Sequence, residues 1–214
     1  MIVLGQTSTR TQILNMLKFQ GRLAVSDMAK QLGITEMAVR RHLHTLERDG
    51  LIQSTLVRQS KGRPANLYSL TSAAEELFPK NYHTLTLELL DDICETDGKE
   101  VVDELFRRRE ERLTNTYARQ FDGKNLEDRV KELAELQNSK GYMVEWDKLG
   151  EGRYTFVEYN CPIAQVANRY NQACRCELGF FRNVLEGARV ERPECKAKGG
   201  ANCVYYIEAE RKEA

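Results

Sequence analysis

The first third of the chain sets short apolar runs between polar and glycine punctuation. In RTQILNMLKF, Ile13, Met16 and Leu17 recur at helical spacing and Gly21 closes the run, which predicts a first helix. Ser26 precedes DMAKQLG, where Met28 and Leu32 share a face and Gly33 ends the pattern, so a short second helix with Ser26 as N-cap is expected. Thr35 is placed to cap a third helix, EMAVRRHLHTLERDG, whose Val39, Leu43 and Leu46 form one apolar stripe. Two helices joined by Gly-Ile-Thr make a helix-turn-helix. LIQSTLVRQS then alternates like a strand, KGRP supplies a turn, and ANLYSLT returns as a second strand.

Beyond residue 71 the pattern turns helical. TSAAEELFPKNYHTLTLELLDDICE reads as two helices broken at Pro79, and DGKEVVDELFRRREERLTNTYARQF as a longer one with Val102, Phe106, Leu113 and Tyr117 near one face. NLEDRVKELAELQNSKGY is amphipathic and ends near Gly141. YMVEWDKLGEGRYTFVEYNC alternates about Gly-Glu-Gly as a hairpin, two short helices follow, and a last hairpin turns at Gly199-Gly200. The reading is an α+β chain in three parts: a winged helix-turn-helix over 1–71, a helical linker or dimerisation region over 72–123, and an α+β cysteine-rich sensor domain over 124–214.

Charge sharpens this division. The formal net charge is zero, yet residues 1–70 hold ten Lys and Arg against four acids, leaving the remainder 22 basic and 28 acidic residues. A basic front attached to an acidic remainder points to contact with a polyanion through the first part. No apolar run is long enough to span a bilayer, and the N-terminus lacks the marks of a signal peptide, so a cytoplasmic protein with no membrane partner is expected.

Projection of the third helix at about 100 degrees per residue puts Met37, Arg41, His44 and Arg48 opposite the apolar stripe, with Arg40 and Thr45 on its flanks. These side chains would face a major groove. Arg40 and Arg41 suit guanine edges or phosphates, and Thr35 with the helix N-terminus suits a phosphate. His42 borders the stripe and reads as half-buried packing. Lys61 and Arg63 tip the hairpin, which would lie on the backbone or in the minor groove of double-stranded DNA. On AVRRHLHTLERDGLI and GRPANLYSLT the chain resembles bacterial transcription regulators of the ArsR/DeoR-like winged-helix superfamily. The middle helices resemble those by which winged-helix dimers pair, which implies a homodimer reading a two-fold site.

Five of the six cysteines fall at 161, 174, 176, 195 and 203. Each stands at the end of a predicted element, and a helix N-terminus at Cys174 and Cys176 would favour the thiolate that a metal needs. Disulfides are disfavoured in a reducing compartment. The last histidine is His83, so no imidazole base serves these thiols and the chain does not read as an enzyme. All-thiolate ligation remains, with an iron-sulfur cluster preferred over zinc because tight CxxC knuckles are missing.

YNCPIAQVANRYNQACRCELGFFRNVLEG with GGANCVYYI resembles the C-terminal domain of SufR-type repressors, which hold an iron-sulfur cluster. That resemblance implies ligands at Cys161, Cys174 and Cys203, while the family's third ligand position falls on Ala188. Cys195 is the substitute taken here, with Cys176 as the other candidate. ECKAKGGANCVYYI also resembles the cysteine-bearing end of vinyl-reductase-type small-molecule-binding domains, which would imply an organic effector. The reading is a DNA-binding transcription regulator, a repressor, whose affinity is set at Cys161, Cys174, Cys195 and Cys203. The alternative is a redox or metal-handling protein whose winged helix meets protein partners.

Overall fold

The apolar stripes of the first seventy residues close over one another because each is too narrow to bury itself alone. In the computed structural model, which describes residues 8–58 and 64–210, the chain divides into two units, 1–80 and 81–214. The first unit begins with α1, Thr9–Gln20, capped by Ser8, whose side chain accepts from the Thr11 amide. Strand β1, Leu23–Ala24, leads directly into α2, Val25–Leu32. Ser26 does not cap α2: the helix starts two residues earlier, because Ala24 is held extended in its pairing with β3 and takes the N-cap position without a side-chain bond. Gly33 ends α2 in the left-handed region, at φ 67°.

Thr35 does cap α3, Glu36–Arg48, accepting from the Ala38 amide at 3.2 Å. Val39, Leu43 and Leu46 are buried against Ile13, Leu17 and Met28. Strands β2, Ile52–Val57, and β3, Ala65–Leu70, pair antiparallel from Ile52↔Leu70 to Val57↔Ala65, and β1 adds to the other edge of β3. Helix, helix-turn-helix and hairpin therefore form a winged helix. A 3-10 turn, Ser72–Leu77, ends this unit before Pro79.

The second unit opens with α4, Tyr82–Thr96, and α5, Lys99–Phe121, joined through Gly98 at φ 90°. The segment 72–123 thus divides at residue 80, with α4 and α5 in the cysteine-bearing unit. Helix α6, Leu126–Ser139, is capped by Asn125 and sends Val130, Leu133, Ala134 and Gln137 inward. Strands β4, Val144–Gly150, and β5, Arg153–Glu158, form the expected hairpin. Helices α7, Ala164–Arg169, and α8, Gln172–Val184, follow, then β6, Ala188–Glu194, and β7, Cys203–Ala209. The antiparallel sheet runs β4-β5-β7-β6.

Along β5 and β7 buried and more exposed residues alternate, the mark of a sheet covered on one face. Its covered face meets α8 through Phe156, Phe180, Phe181 and Tyr205, whose rings pack edge-on or tilted at 4.9–6.1 Å between centroids. Helix α5 packs on α8 from outside, through the Phe106, Leu113 and Tyr117 face read from the sequence. The β6–β7 ladder shifts register between Glu191 and Glu194, around Pro193, which has no N–H to donate. The fold is α+β, as the pattern implied.

Candidate functional site

Two groups of side chains carry the chemistry, one in each unit. In the first, the helical register of α3 separates its residues as the projection required. Thr35, Met37, Arg40, Arg41, His44 and Arg48 are exposed, whereas Val39, Leu43 and Leu46 are at most 1% exposed. Met37 is 75% exposed. His42 is half-buried. Arg40 is held by Glu36 one turn back at 3.2 Å, a surface pair that solvent weakens. Lys61 and Arg63 lie outside the described residues. Near the loop end of the hairpin, Leu56 and Asn66, paired across it, line a groove with Ser26, Glu36 and Arg40. Leu56 and Asn66 were missed in the sequence because strand alternation alone does not say which exposed residues adjoin α3.

In the second unit the fold brings two of the five clustered thiols into contact. Cys195 and Cys174 stand 3.9 Å apart between sulfurs. The Cys203 sulfur accepts from the Lys196 amide at 3.4 Å, beside Cys195 at the other end of the short turn. Cys176 is not brought to them. Two residues along α8 is about 200 degrees of rotation, and its sulfur instead accepts from Arg109 Nη1 on α5 at 3.2 Å. Ala188 begins β6 opposite Ala209, six residues from the Glu194–Val204 end of the ladder, or ~20 Å at strand rise. The SufR-type third position is therefore remote from Cys203.

The expectation that a helix N-terminus makes these groups thiolates is overturned. Burial pushes the Cys174 and Cys203 thiols up to about 12 and raises Cys161 and Cys176 as well. The Arg109 guanidinium opposes the rise at Cys176 without cancelling it. Four of the five are buried, and Cys174, Cys195 and Cys203 belong to the apolar core. Among the described residues no three His, Cys, Asp or Glu side chains stand together as a metal cage. Thiols are the donors a thiophilic metal or cluster takes, and among the described residues the Cys174–Cys195 pair is the one thiol pair in contact.

Directly behind the thiols lies a polar network that the sequence reading did not single out. Glu158 pairs across the sheet with Cys203, and its carboxyl accepts from Gln137 Nε2 at 2.9 Å and Tyr205 Oη at 3.1 Å. Gln137 also donates to Glu177 at 3.3 Å. Burial, reinforced by Glu177, raises Glu158 well above the carboxylate range, and burial raises Glu177 too. Arg192 Nη1 donates to the Cys174 carbonyl at 3.0 Å and its guanidinium lies over the Tyr205 ring. Glu158 sits on the inward side of β5 with Tyr154 and Phe156, and that alternation was the available signal.

Comparison with known proteins places the first group. Residues 7–54 match the family model described as bacterial regulatory protein, arsR family. A comparison with curated protein sequences finds no match. Among solved structures, the chain is similar to adhesin competence repressor (AdcR) from Streptococcus pyogenes at 25% identity and TM-score 0.31, over 51% of this chain and 82% of that one. It is similar to transcriptional regulator Tm0710 from Thermotoga maritima at 21% identity and TM-score 0.32, over 56% and 82%. It is also similar to ZitR, a zinc-responsive MarR family member from Lactococcus lactis, at 26% identity and TM-score 0.30, over 51% and 78%. Among the described residues no helix is long and apolar enough to cross a membrane.

Proposed function

We propose that this chain is a DNA-binding transcription regulator, acting as a homodimer, in which the thiol centre of the second unit sets the affinity of the first for double-stranded DNA. The observation that carries the reading is the outer face of α3. Arg41, His44 and Arg48 stay in water opposite a fully buried stripe, within the segment that matches the arsR family model. A helix presented in this way fits a major groove, where a guanidinium can take two acceptors of guanine. Lys61 and Arg63 would add phosphate contacts from the hairpin. Helix α4 buries no residue within its own chain and leaves Leu85 and Leu89 each 54% exposed, which supports pairing with a second copy. Cys161, Cys174, Cys195 and Cys203 would hold an iron-sulfur cluster, or zinc. Such a group would supply a metal- or redox-dependent tie between α7, α8 and the β6–β7 turn.

The test starts from duplexes enriched from a random pool by the full chain. Arg41→Ala should bind these about 5- to 150-fold more weakly, corresponding to ~1–3 kcal/mol, with relaxed base preference. Full affinity and selectivity in that variant would refute the assignment of α3. Metal analysis and absorbance of anaerobically purified protein address the thiol centre: iron with sulfide supports a cluster, one zinc per chain supports zinc, and no metal overturns it.

A further inference from the structure

Helices α4, α5 and α7 enclose a cleft of about 440 Å³ that lies wholly within the second unit. That size falls within the range of small-molecule sites. Its walls are apolar, formed chiefly by Leu90, Leu105, Phe106, Ile163 and Val166. Its charged lining is of one sign: Arg109, whose guanidinium also donates to Cys176, and Arg112 line it, and among the described residues no aspartate or glutamate does. This is notable in a part of the chain where acids outnumber bases. Among the described residues no carboxylate comes within ion-pair distance of either arginine, although the neighbouring Arg107 and Arg108 both pair with Glu104.

The two characters occupy different ends of the cleft. Helices α4 and α5 reverse direction at Gly98, so Leu90 and Leu105 lie at similar distances from the turn, and Thr86 and Tyr82 are level with Arg109 and Arg112. One end is therefore hydrocarbon and the other cationic.

We propose that this cleft binds an amphipathic organic anion, an aliphatic or aromatic body of about ten carbons bearing a carboxylate, with the body against Leu90, Leu105 and Val166 and the anionic head on Arg109 and Arg112. A guanidinium matches a carboxylate in two parallel hydrogen bonds, and an apolar wall excludes the water that would weaken them. The floor of the cleft gives the ligand a route to the thiols. Pro162 and Ile163 follow Cys161 directly, and Ala173 precedes Cys174, so an occupant presses on the backbone of both. This site goes beyond the reading of the preceding subsection and does not rest on it, since its test involves no DNA.

The probe is decanoate, titrated calorimetrically into the full-length protein, with decylammonium and decanol as controls of equal chain length. Decanoate should bind with one site per chain and at least tenfold more tightly than either control. Arg112→Gln, an exposed position that leaves the Arg109–Cys176 contact intact, should weaken decanoate about tenfold while leaving decanol unchanged. Leu105→Trp, at the partly exposed mouth, should abolish binding by filling the cleft, with circular dichroism confirming that both variants stay folded. No heat with decanoate, as would follow if a second copy of the chain occupies the cleft, overturns the proposal. Equal binding of all three probes, or Arg112→Gln indistinguishable from the parent, overturns it equally.

Discussion

Gln137→Leu probes the network behind the thiols. The Gln137 amide donates to Glu158 at 2.9 Å and to Glu177 at 3.3 Å, and all three side chains are at most 8% exposed. Leucine keeps the volume and removes both donors, leaving one oxygen on each carboxyl without a partner. A buried acceptor left unsatisfied costs about 1–3 kcal/mol, and the second bond is long, so about 2–3 kcal/mol should be lost after the gain from burying leucine. Trp146, the chain's single tryptophan, packs on Tyr154 in this unit and reports its unfolding by fluorescence. With a urea dependence of about 2 kcal/mol per molar, the midpoint should fall by ~1 M in reduced protein.

The pH dependence of that loss is also fixed. Burial holds both carboxyls above their ordinary range, so the stability they contribute is fully present below about 4.5 and is lost as pH rises through their folded values. The Gln137 bonds oppose that rise, hence removing them raises both groups further and the cost of the variant should be at least as large at pH 8 as at pH 5. A midpoint shift below about 0.3 M, or a cost that shrinks with pH, would refute the network's role.

Two further outcomes follow from the thiol centre. With Cys174 and Cys203 pushed up to about 12, their contribution to stability is fully present below pH 9 and lost as pH climbs from 9 toward 12. In chelated, reduced protein at pH 8 iodoacetamide should alkylate both at least ~100-fold more slowly than in urea, and mass spectrometry finding comparable rates would contradict their burial. Gly200→Ala should destabilise the second unit by about 1–3 kcal/mol in the same urea assay, because its Cβ would lie 2.6 Å from Glu194 Cγ and 3.0 Å from the Cys195 carbonyl oxygen. A variant as stable as the parent would show that the Cys195–Cys203 turn yields freely.

The winged helix was legible because everything that specifies it is local. Val39, Leu43 and Leu46 declare the buried side of α3 within thirteen residues, and Thr35 caps the helix it precedes. Ser26 failed as a cap for a non-local reason: β1 exists only through its pairing with β3, more than forty residues on, and that pairing starts α2 early. The cleft was illegible on the same grounds. Leu90, Arg109 and Val166 belong to three helices, and each reads in its own helix as an unremarkable position.

The thiols show which of two effects wins when local and tertiary terms conflict. A helix N-terminus stabilises a nearby anion by about 0.3–1 kcal/mol, and at Cys174 this favours thiolate. Removing the same group from water shifts a pKa by several units the other way, at about 1.4 kcal/mol each, and Cys174 is buried by the sheet, α8 and Cys195 together. The spacing of cysteines displays the first effect and hides the second. Consequently Cys174 and Cys203 are core thiols that resist ionisation, backed by two carboxyls that do the same. Were these sulfurs to hold a metal or cluster, protons would first have to leave Cys174 and Cys203, so its affinity would rise with pH.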